Sequence, residues 1–320
     1  MREKMTGWII YSSEDVKKNR RFIEMISENF LPHHVEMQLI VLAGKKEAVT
    51  EGSVRQHFEN GDWNVRVIYG PEEINCFETP DFAINRSRMS EISAILEEKG
   101  VRVFNSEAVT RITNDKAKTY EFLKGVVPFM PVIYEGKYIS SDCDGYRDAC
   151  GLNRDFAYPY VIKSCRGHGG NQVFMIKNSR EENEALREIQ GEKYLRQQCC
   201  SDLGKDVRVY IIGNEIVTAI LRTSTKSFKS NYSLGGEVKP YILNENEKNM
   251  VEAITKKLPL DYAGIDFTFH NGKAVFNEIE DAVGARMLYA TTDIDIVKMY
   301  TEYIMQCVNE VSAEPKHILQ

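Results

Sequence analysis

Residues 261–288 read DYAGIDFTFHNGKAVFNEIEDAVGARML, and the interpretation of this stretch decides the fold. Two apolar runs, 263–269 and 273–280, flank His270, Asn271 and Gly272. An Asn-Gly pair between such runs signals a β-hairpin, because both residues tolerate the positive φ of a tight primed turn. Three carboxylates lie within the runs: Asp266, Glu278 and Glu280. Side chains alternate along a strand, so regular geometry puts Glu278 and Glu280 on one face together with Phe276. Two neighbouring acids repel each other. A Mg²⁺ ion would relieve the repulsion, with phosphate and water filling its remaining positions. A solvated strand edge, where charge discourages aggregation, is the other reading. Parity adds a condition. A plain two-residue turn sets Asp266 opposite Asn277 and leaves Glu278 on the other face, so a shared ion requires an odd turn or a β-bulge.

Outward from the hairpin, the composition is that of an ordinary folded protein. The chain has 320 residues, 42% hydrophobic and 28% charged, enough for two or three packed subdomains. The amino-terminal MREKMTGWIIYSS lacks the apolar core of a signal peptide and no run reaches membrane-spanning length, so the expected location is the cytoplasm. Seven cysteines without C-x-x-C spacing indicate neither a disulfide framework nor a zinc site. A net charge of -6 gives no support to non-specific nucleic-acid binding. An anionic ligand must be held by individually placed residues.

The amino-terminal hundred residues alternate strand and helix. Apolar runs at 6–11, 35–42, 65–69, 82–84 and 101–104 read as strands, and helical spacing appears at 19–29 and 90–99. The cluster Lys17, Lys18, Arg20 and Arg21 reads as the wet face of the first long helix. No G-x-G-x-x-G follows the first strand, which argues against a dinucleotide site there. Further on, Asn114 is the expected N-cap of a helix, with Lys116 in its first turn. A cation near the positive end of the helix dipole suits an anion-binding role, against the plainer reading of a surface lysine. Residues 134–155 read as a polar surface loop.

Residues 158–163 read as a strand, 164–171 (SCRGHGGN) as a glycine-rich loop, and 172–177 as a second strand. A Walker or Rossmann loop leads into a helix, so neither fits. A hairpin whose backbone N–H groups cover phosphates does fit, with Gly167, Gly169 and Gly170 allowing close approach and His168 available for contact; an ordinary flexible hairpin is the alternative. Residues 179–192 read as a charged helix and 193–200 as a strand. Two more strands, 207–212 and 215–223, carry Arg208 and Arg222, and arginines in apolar strands require anionic partners. The loop 224–236, with Lys226, Lys229 and Asn231, suits oxyanions. Helices at 244–257 and 293–308 complete the reading.

The segments NDKAKTYEFLKG, YVIKSCRGHGGNQVFMI, YLRQQCC, DVRVYIIGNEIVTAILR, FKSNYSLGG, and AGIDFTF with NEIED occur in an order that resembles the ATP-grasp superfamily and, within it, the RimK-type carboxylate–amine ligases. The resemblance covers roughly residues 105–288. It implies an α/β (α+β) ATP-grasp fold, in which two α+β subdomains (105–192 and 193–320) clasp ATP behind a Rossmann-like α/β amino-terminal domain (1–104). It also implies Lys116 and Lys163 on phosphates, the glycine-rich loop over them, adenine at Gln198, Cys199 and Cys200, and Asp206 near the ribose or substrate. Asp266 and Glu278 would bind Mg²⁺, or alternatively Mn²⁺, with Glu280, standing where the family usually has Asn, as the third candidate ligand. Arg208, Arg222 and Asn231 would stabilise the transferred phosphoryl group, and Arg286 is a candidate for a substrate carboxylate or a structural ion pair.

The implied reaction joins a small-molecule or peptide carboxylate to an amine through an acyl phosphate, releasing ADP and phosphate. No covalent enzyme intermediate is needed, so no Ser-His-Asp or Cys-His signature is expected. A small-molecule kinase is the second reading and a non-catalytic nucleotide-binding protein the third. Neither a nucleic-acid nor a membrane partner is expected, and a homo-oligomer stays open.

Overall fold

The computed structural model describes residues 5–44, 49–58, 63–141, 156–170, 172–225, 227–229 and 236–313. These form two compact units, one drawn from Met1–Arg111, Asp281–Tyr289 and Asp293–Gln320, the other from Ile112–Glu280 and Ala290–Thr292.

The first unit is built on strands β1 (Met5–Ser12), β2 (Val35–Leu42), β3 (Val65–Ile68), β4 (Phe82–Asn85) and β5 (Arg102–Phe104). They lie in the order β3-β2-β1-β4-β5, every pair parallel. Parallel strands covered on both faces read as nearly unbroken apolar runs. Trp8, Ile9, Ile10 and Tyr11 of β1 are accordingly buried in succession. Helix Arg20–Phe30 turns Phe22, Ile23, Ile26 and Phe30 inward, while Arg20 and Arg21 pair with Glu24 and Glu28 on its outer side. The basic cluster is thus a solvated face, as its spacing implied.

The carboxyl-terminal division differs from the expected boundary. Residues 193–320 are not one body, because helix Ile296–Ala313 packs on helix Arg20–Phe30 within the first unit. Its apolar stripe, including Val297, Tyr300 and Ile304, needs a covered surface, and Tyr303 meets the Phe104 ring edge-on at 6.1 Å. The preceding loop is fastened in the same unit, where the Arg86 guanidinium donates to the carbonyls of Ala282 (2.9 Å) and Val283 (2.8 Å).

The second unit holds two antiparallel sheets. One contains β6 (Val132–Tyr134), β7 (Lys137–Ile139), β8 (Tyr160–Ser164), β9 (Val173–Ile176) and β10 (Tyr194–Gln198), ordered β7-β6-β10-β8-β9. Helix Ser179–Ile189 covers it, capped by the Asn178 side chain and burying Ala185 and Ile189 against Tyr160, Ile162 and Ile176. The other sheet contains β11 (Asp202–Ile212), β12 (Glu215–Thr223), β13 (Glu237–Tyr241), β14 (Tyr262–His270) and β15 (Lys273–Glu280), ordered β13-β12-β11-β14-β15. Helix Glu245–Lys257 opens with a reciprocal capping box between Asn244 and Glu247, an arrangement that contributes about 1 kcal/mol.

The 261–288 hairpin closes through a two-residue turn with positive φ at Asn271 and Gly272. Its ladder then slips by one residue: Phe267 pairs with Phe276, Asp266 pairs with Glu278, and Asn277 is the extra residue. The parity condition is met by a bulge. A correction follows for Phe276, which shares the face of Phe267 rather than that of Glu278 and packs against the Tyr120 ring at 5.9 Å. Two further differences are local. The helix Lys116–Leu123 is capped by Asp115, not Asn114, because Asp115 immediately precedes the first helical residue and its carboxylate accepts from the N–H groups of Ala117 and Lys118. Strand β7 lies where only loop was expected, while 142–155 and, later in the chain, Lys226 and Asn231 fall outside the described residues.

Candidate nucleotide cleft

The second unit contains a cleft of ≈ 860 Å³, open to solvent, and its lining collects most of the residues singled out for ATP. Pairing between β8 and β10 explains the selection. Lys163 lies opposite Leu195 and Val161 opposite Gln197, so these four side chains share one face of the sheet. Gln197, passed over in the sequence, is held there by donating to the Tyr120 hydroxyl (2.9 Å) and the Met130 carbonyl (3.2 Å). Gln198 alternates to the opposite face, pairing with Tyr160, and its side-chain oxygen is buried without a partner among the described residues. Gln198 can therefore contribute to the cleft mainly through its backbone. Cys199 and Cys200 line it just beyond β10, and burial pushes both thiols up, Cys199 to about 11, which keeps them neutral.

Two lysines stand at the floor. Lys163 is 7% exposed, and its ammonium donates to the Asn277 side-chain oxygen at 2.7 Å. Burial pulls Lys163 down to about 8, against the opposing pull of Glu278. Lys116, in the first turn of its helix, donates to the Gly167 carbonyl at 2.5 Å and lies 3.9 Å from Glu278. A third, Lys229, donates to the Gly170 carbonyl at 2.6 Å. The glycine-rich loop is thereby tied at two points, and Gly169 and Gly170 adopt φ of 66° and 78°, a region open chiefly to glycine. His168 of the same loop is exposed and is not among the lining residues.

Asn277 is the second residue that the sequence did not disclose. The bulge frees it from the ladder: its side chain receives Lys163 and its carbonyl receives the Tyr120 hydroxyl at 2.7 Å. A polar residue inside a strand, next to a suspected ligand, was the available signal.

Beside the cleft, charges of alternating sign run across β12, β11, β14 and β15. Arg222 donates to Asp206 and, at 2.6 Å, to Asp266. Arg208 grips both oxygens of Asp266 at 2.7 Å and reaches Glu280 with its remaining arm at 2.7 Å. Asp266 is fully buried. Burial alone would raise its pKa, but the two guanidiniums win and hold it at about 2, while both arginines are raised. Here are the anionic partners that the apolar strands demanded.

The donor set tests whether a divalent cation fits. Glu278 has an open carboxylate, 35% exposed, in the cleft beside two lysines, and suits a hard cation that also takes phosphate oxygens. Asp266 stands directly opposite, and among the described residues its Oδ1 accepts from Arg208 Nε alone, which leaves it a second lone pair. Glu280 is engaged by Arg208, and among the described residues no cluster of three metal-ligating side chains forms. Arg286 lies in the first unit at the start of helix Arg286–Thr291; it is exposed and makes no ion pair among the described residues, which removes the structural-pair alternative there.

The RimK-like ATP-grasp domain profile matches residues 139–304. Over 232 residues, 71% of this chain and 73% of the relative, the sequence is 23% identical to a probable alpha-L-glutamate ligase of Haemophilus ducreyi. It is 28% identical to beta-citrylglutamate synthase B of Danio rerio over 215 residues, 66% of this chain and 52% of the relative. Among solved structures, the D-alanine--D-alanine ligase from Bacillus anthracis complexed with ATP superposes with a TM-score of 0.66 at 14% identity, covering 96% of this chain and 98% of that one. The chain belongs to the RimK-like ATP-grasp family of carboxylate–amine ligases, in which ATP and Mg²⁺ binding is typical. Among the described residues, no helix is long and apolar enough to cross a membrane.

Proposed function

We propose that this protein forms an amide bond between a carboxylate and an amine, using ATP to activate the carboxylate as an acyl phosphate. The observation that carries the reading is the convergence of Lys116, Lys163, the glycine-rich loop and the open acid Glu278 on one cleft. The two lysines and Lys229 would grip the triphosphate, and backbone groups of residues 198–200 would meet the base. Glu278, with Asp266 behind it, would hold Mg²⁺ or Mn²⁺, which when bound neutralises phosphate charge.

A carboxylate resists attack by an amine, and activation removes that resistance. An oxygen of the substrate carboxylate bonds to the γ-phosphorus while the bond to the β-bridging oxygen breaks, its electrons leaving with ADP. The amine nitrogen then bonds to the carbonyl carbon, the C–O bond to phosphate breaks, and the amine proton passes to phosphate or solvent. Arg208 and Arg222, together with Asn231, would meet the charge spread over the transferring phosphoryl, which fixed guanidiniums stabilise without reorganisation. Arg286 is proposed as a contact for a substrate carboxylate. The glutamate-containing names of the two relatives direct the choice of candidate acids and amines.

The test is a screen of amino acids, small acids and short peptides, in pairs, for ADP formation with Mg²⁺. The reading expects ADP and free phosphate in equal amounts, dependent on both an acid and an amine. ADP formed with a hydroxyl compound alone, without free phosphate, would replace it with phosphorylation.

A further inference from the structure

The run Asp206, Arg222, Asp266, Arg208, Glu280 has an acid at each end, and the two ends differ in setting. Asp206 lines the cleft wall with its side chain only 9% exposed, whereas Glu280 is 27% exposed on β15. Glu280 is also only two residues from Glu278, on the same face, and yet the two acids do different things: one is open, the other is committed. The reason lies in the Arg208 fork. Of its five N–H groups, Nε–H and one on Nη2 are spent on Asp266, and one on Nη1 on Glu280. Asp266 holds only the Nε–Nη2 edge of that fork, and its Oδ2 is shared with Arg222. A second acid on the far arm pins the guanidinium plane and leaves two N–H groups with a set direction.

Resting on the ligase reading above, we infer that Glu280 is a positioning residue for Arg208 and not a ligand of the divalent ion. Its carboxylate keeps the two uncommitted N–H groups of Arg208 aimed for the phosphoryl group in transfer, and Glu278 is left as the open acid for the cation. The specific consequence is that Glu280 acts on the transition state through Arg208 alone.

Four proteins test this: wild type, Glu280→Ala, Arg208→Gln and the double variant, with Glu280→Gln as a near-isosteric control for folding. Three affinities are read on each: for the non-hydrolysable analogue AMPPNP by calorimetry, for Mn²⁺ in that complex by electron paramagnetic resonance, and for Mg²⁺-ADP-aluminium fluoride as a mimic of the phosphoryl in flight. Glu280→Ala is expected to leave the AMPPNP and Mn²⁺ affinities within about twofold of wild type and to weaken the aluminium fluoride complex about 10- to 100-fold, the range for losing a supporting partner. Glu280→Gln, which still accepts from Arg208, should recover part of that loss. In the Arg208→Gln background, removing Glu280 should add nothing. A tenfold loss of Mn²⁺ affinity in either Glu280 variant would make it a metal ligand and overturn the inference while leaving the ligase reading intact. Unchanged aluminium fluoride affinity, or losses that add in the double variant, would also overturn it. Failure of wild type to bind AMPPNP would instead remove the ligase reading itself.

Discussion

Strands β1 and β14 are buried to nearly the same degree, yet only one carries charge. In β1 the interior is Trp8, Ile9, Ile10 and Tyr11, an apolar run in which the Tyr11 hydroxyl receives the Arg86 guanidinium at 2.6 Å. In β14 the interior is as dry, but Asp266 sits in the middle of it and needs Arg208 and Arg222 to be tolerable. A buried ion pair is a poor route to stability, since desolvation offsets most of its attraction. Strand β1 shows that this chain can bury a strand with no carboxylate in it. The charged sheet is therefore better explained by the chemistry beside it than by the demands of folding.

The largest effect that would break this comparison is on stability. Asp266→Asn leaves two buried guanidiniums without their carboxylate, and should cost about 3–5 kcal/mol in chemical denaturation. A loss under about 1 kcal/mol would mean that the network is not what holds β14 in place. The sign with pH follows from the same residue. Its pKa is held near 2, below the ordinary 3.8, so its stabilising contribution is present above the ordinary value and fades as pH falls from about 4 towards 2.

Next is Glu278→Gln. The side chain is open, so the variant should unfold within about 0.5 kcal/mol of wild type, but ADP formation should fall about 100-fold or more. Normal turnover by this variant would detach Glu278 from the metal.

A smaller effect belongs to Lys163. Because burial holds it near 8, part of the free protein carries a neutral amine above that pH, and phosphates would restore the charge. ATP binding above about pH 8 should take up a proton, measured by calorimetry in buffers of different ionisation enthalpy, and Lys163→Met should abolish the uptake. In the absence of ligand the sign is the same as that of Asp266, in a higher window: the unfolded chain binds the extra proton between about 8 and 10.5, so the cost of burying the charged amine disappears and stability rises with pH there. The smallest effect is in β1, where Ile9→Val should cost about 0.5–1.5 kcal/mol and leave nucleotide affinity unchanged.

Much of this was legible in the sequence, for identifiable reasons. The parallel sheet announced itself because strands buried on both faces have little freedom in residue type. The hairpin turn was readable from Asn271-Gly272, and the parity of Asp266 and Glu278 required either an odd turn or a bulge if the acids were to meet. Which residue would bulge was not readable, since nothing local marks Asn277 as unpaired. The same blindness to partners explains Gln198: only the register against Lys163 reveals that Gln197 faces the cleft. Strand β13 was missed because EVKPY is short, polar and carries a proline, a pattern that suits an edge strand and looks like loop. Arginines in apolar strands need anions, but only the register shows that Arg208 and Arg222 share Asp266, an acid whose place in the hairpin points to a metal.

The most direct test is amide hydrogen exchange on the wild-type chain with and without Mg²⁺-ATP. The account predicts protection at residues 163–170 and 197–200, with β1 to β5 unchanged. Protection confined to the parallel sheet, with none at Lys163 or the glycine-rich loop, would contradict it.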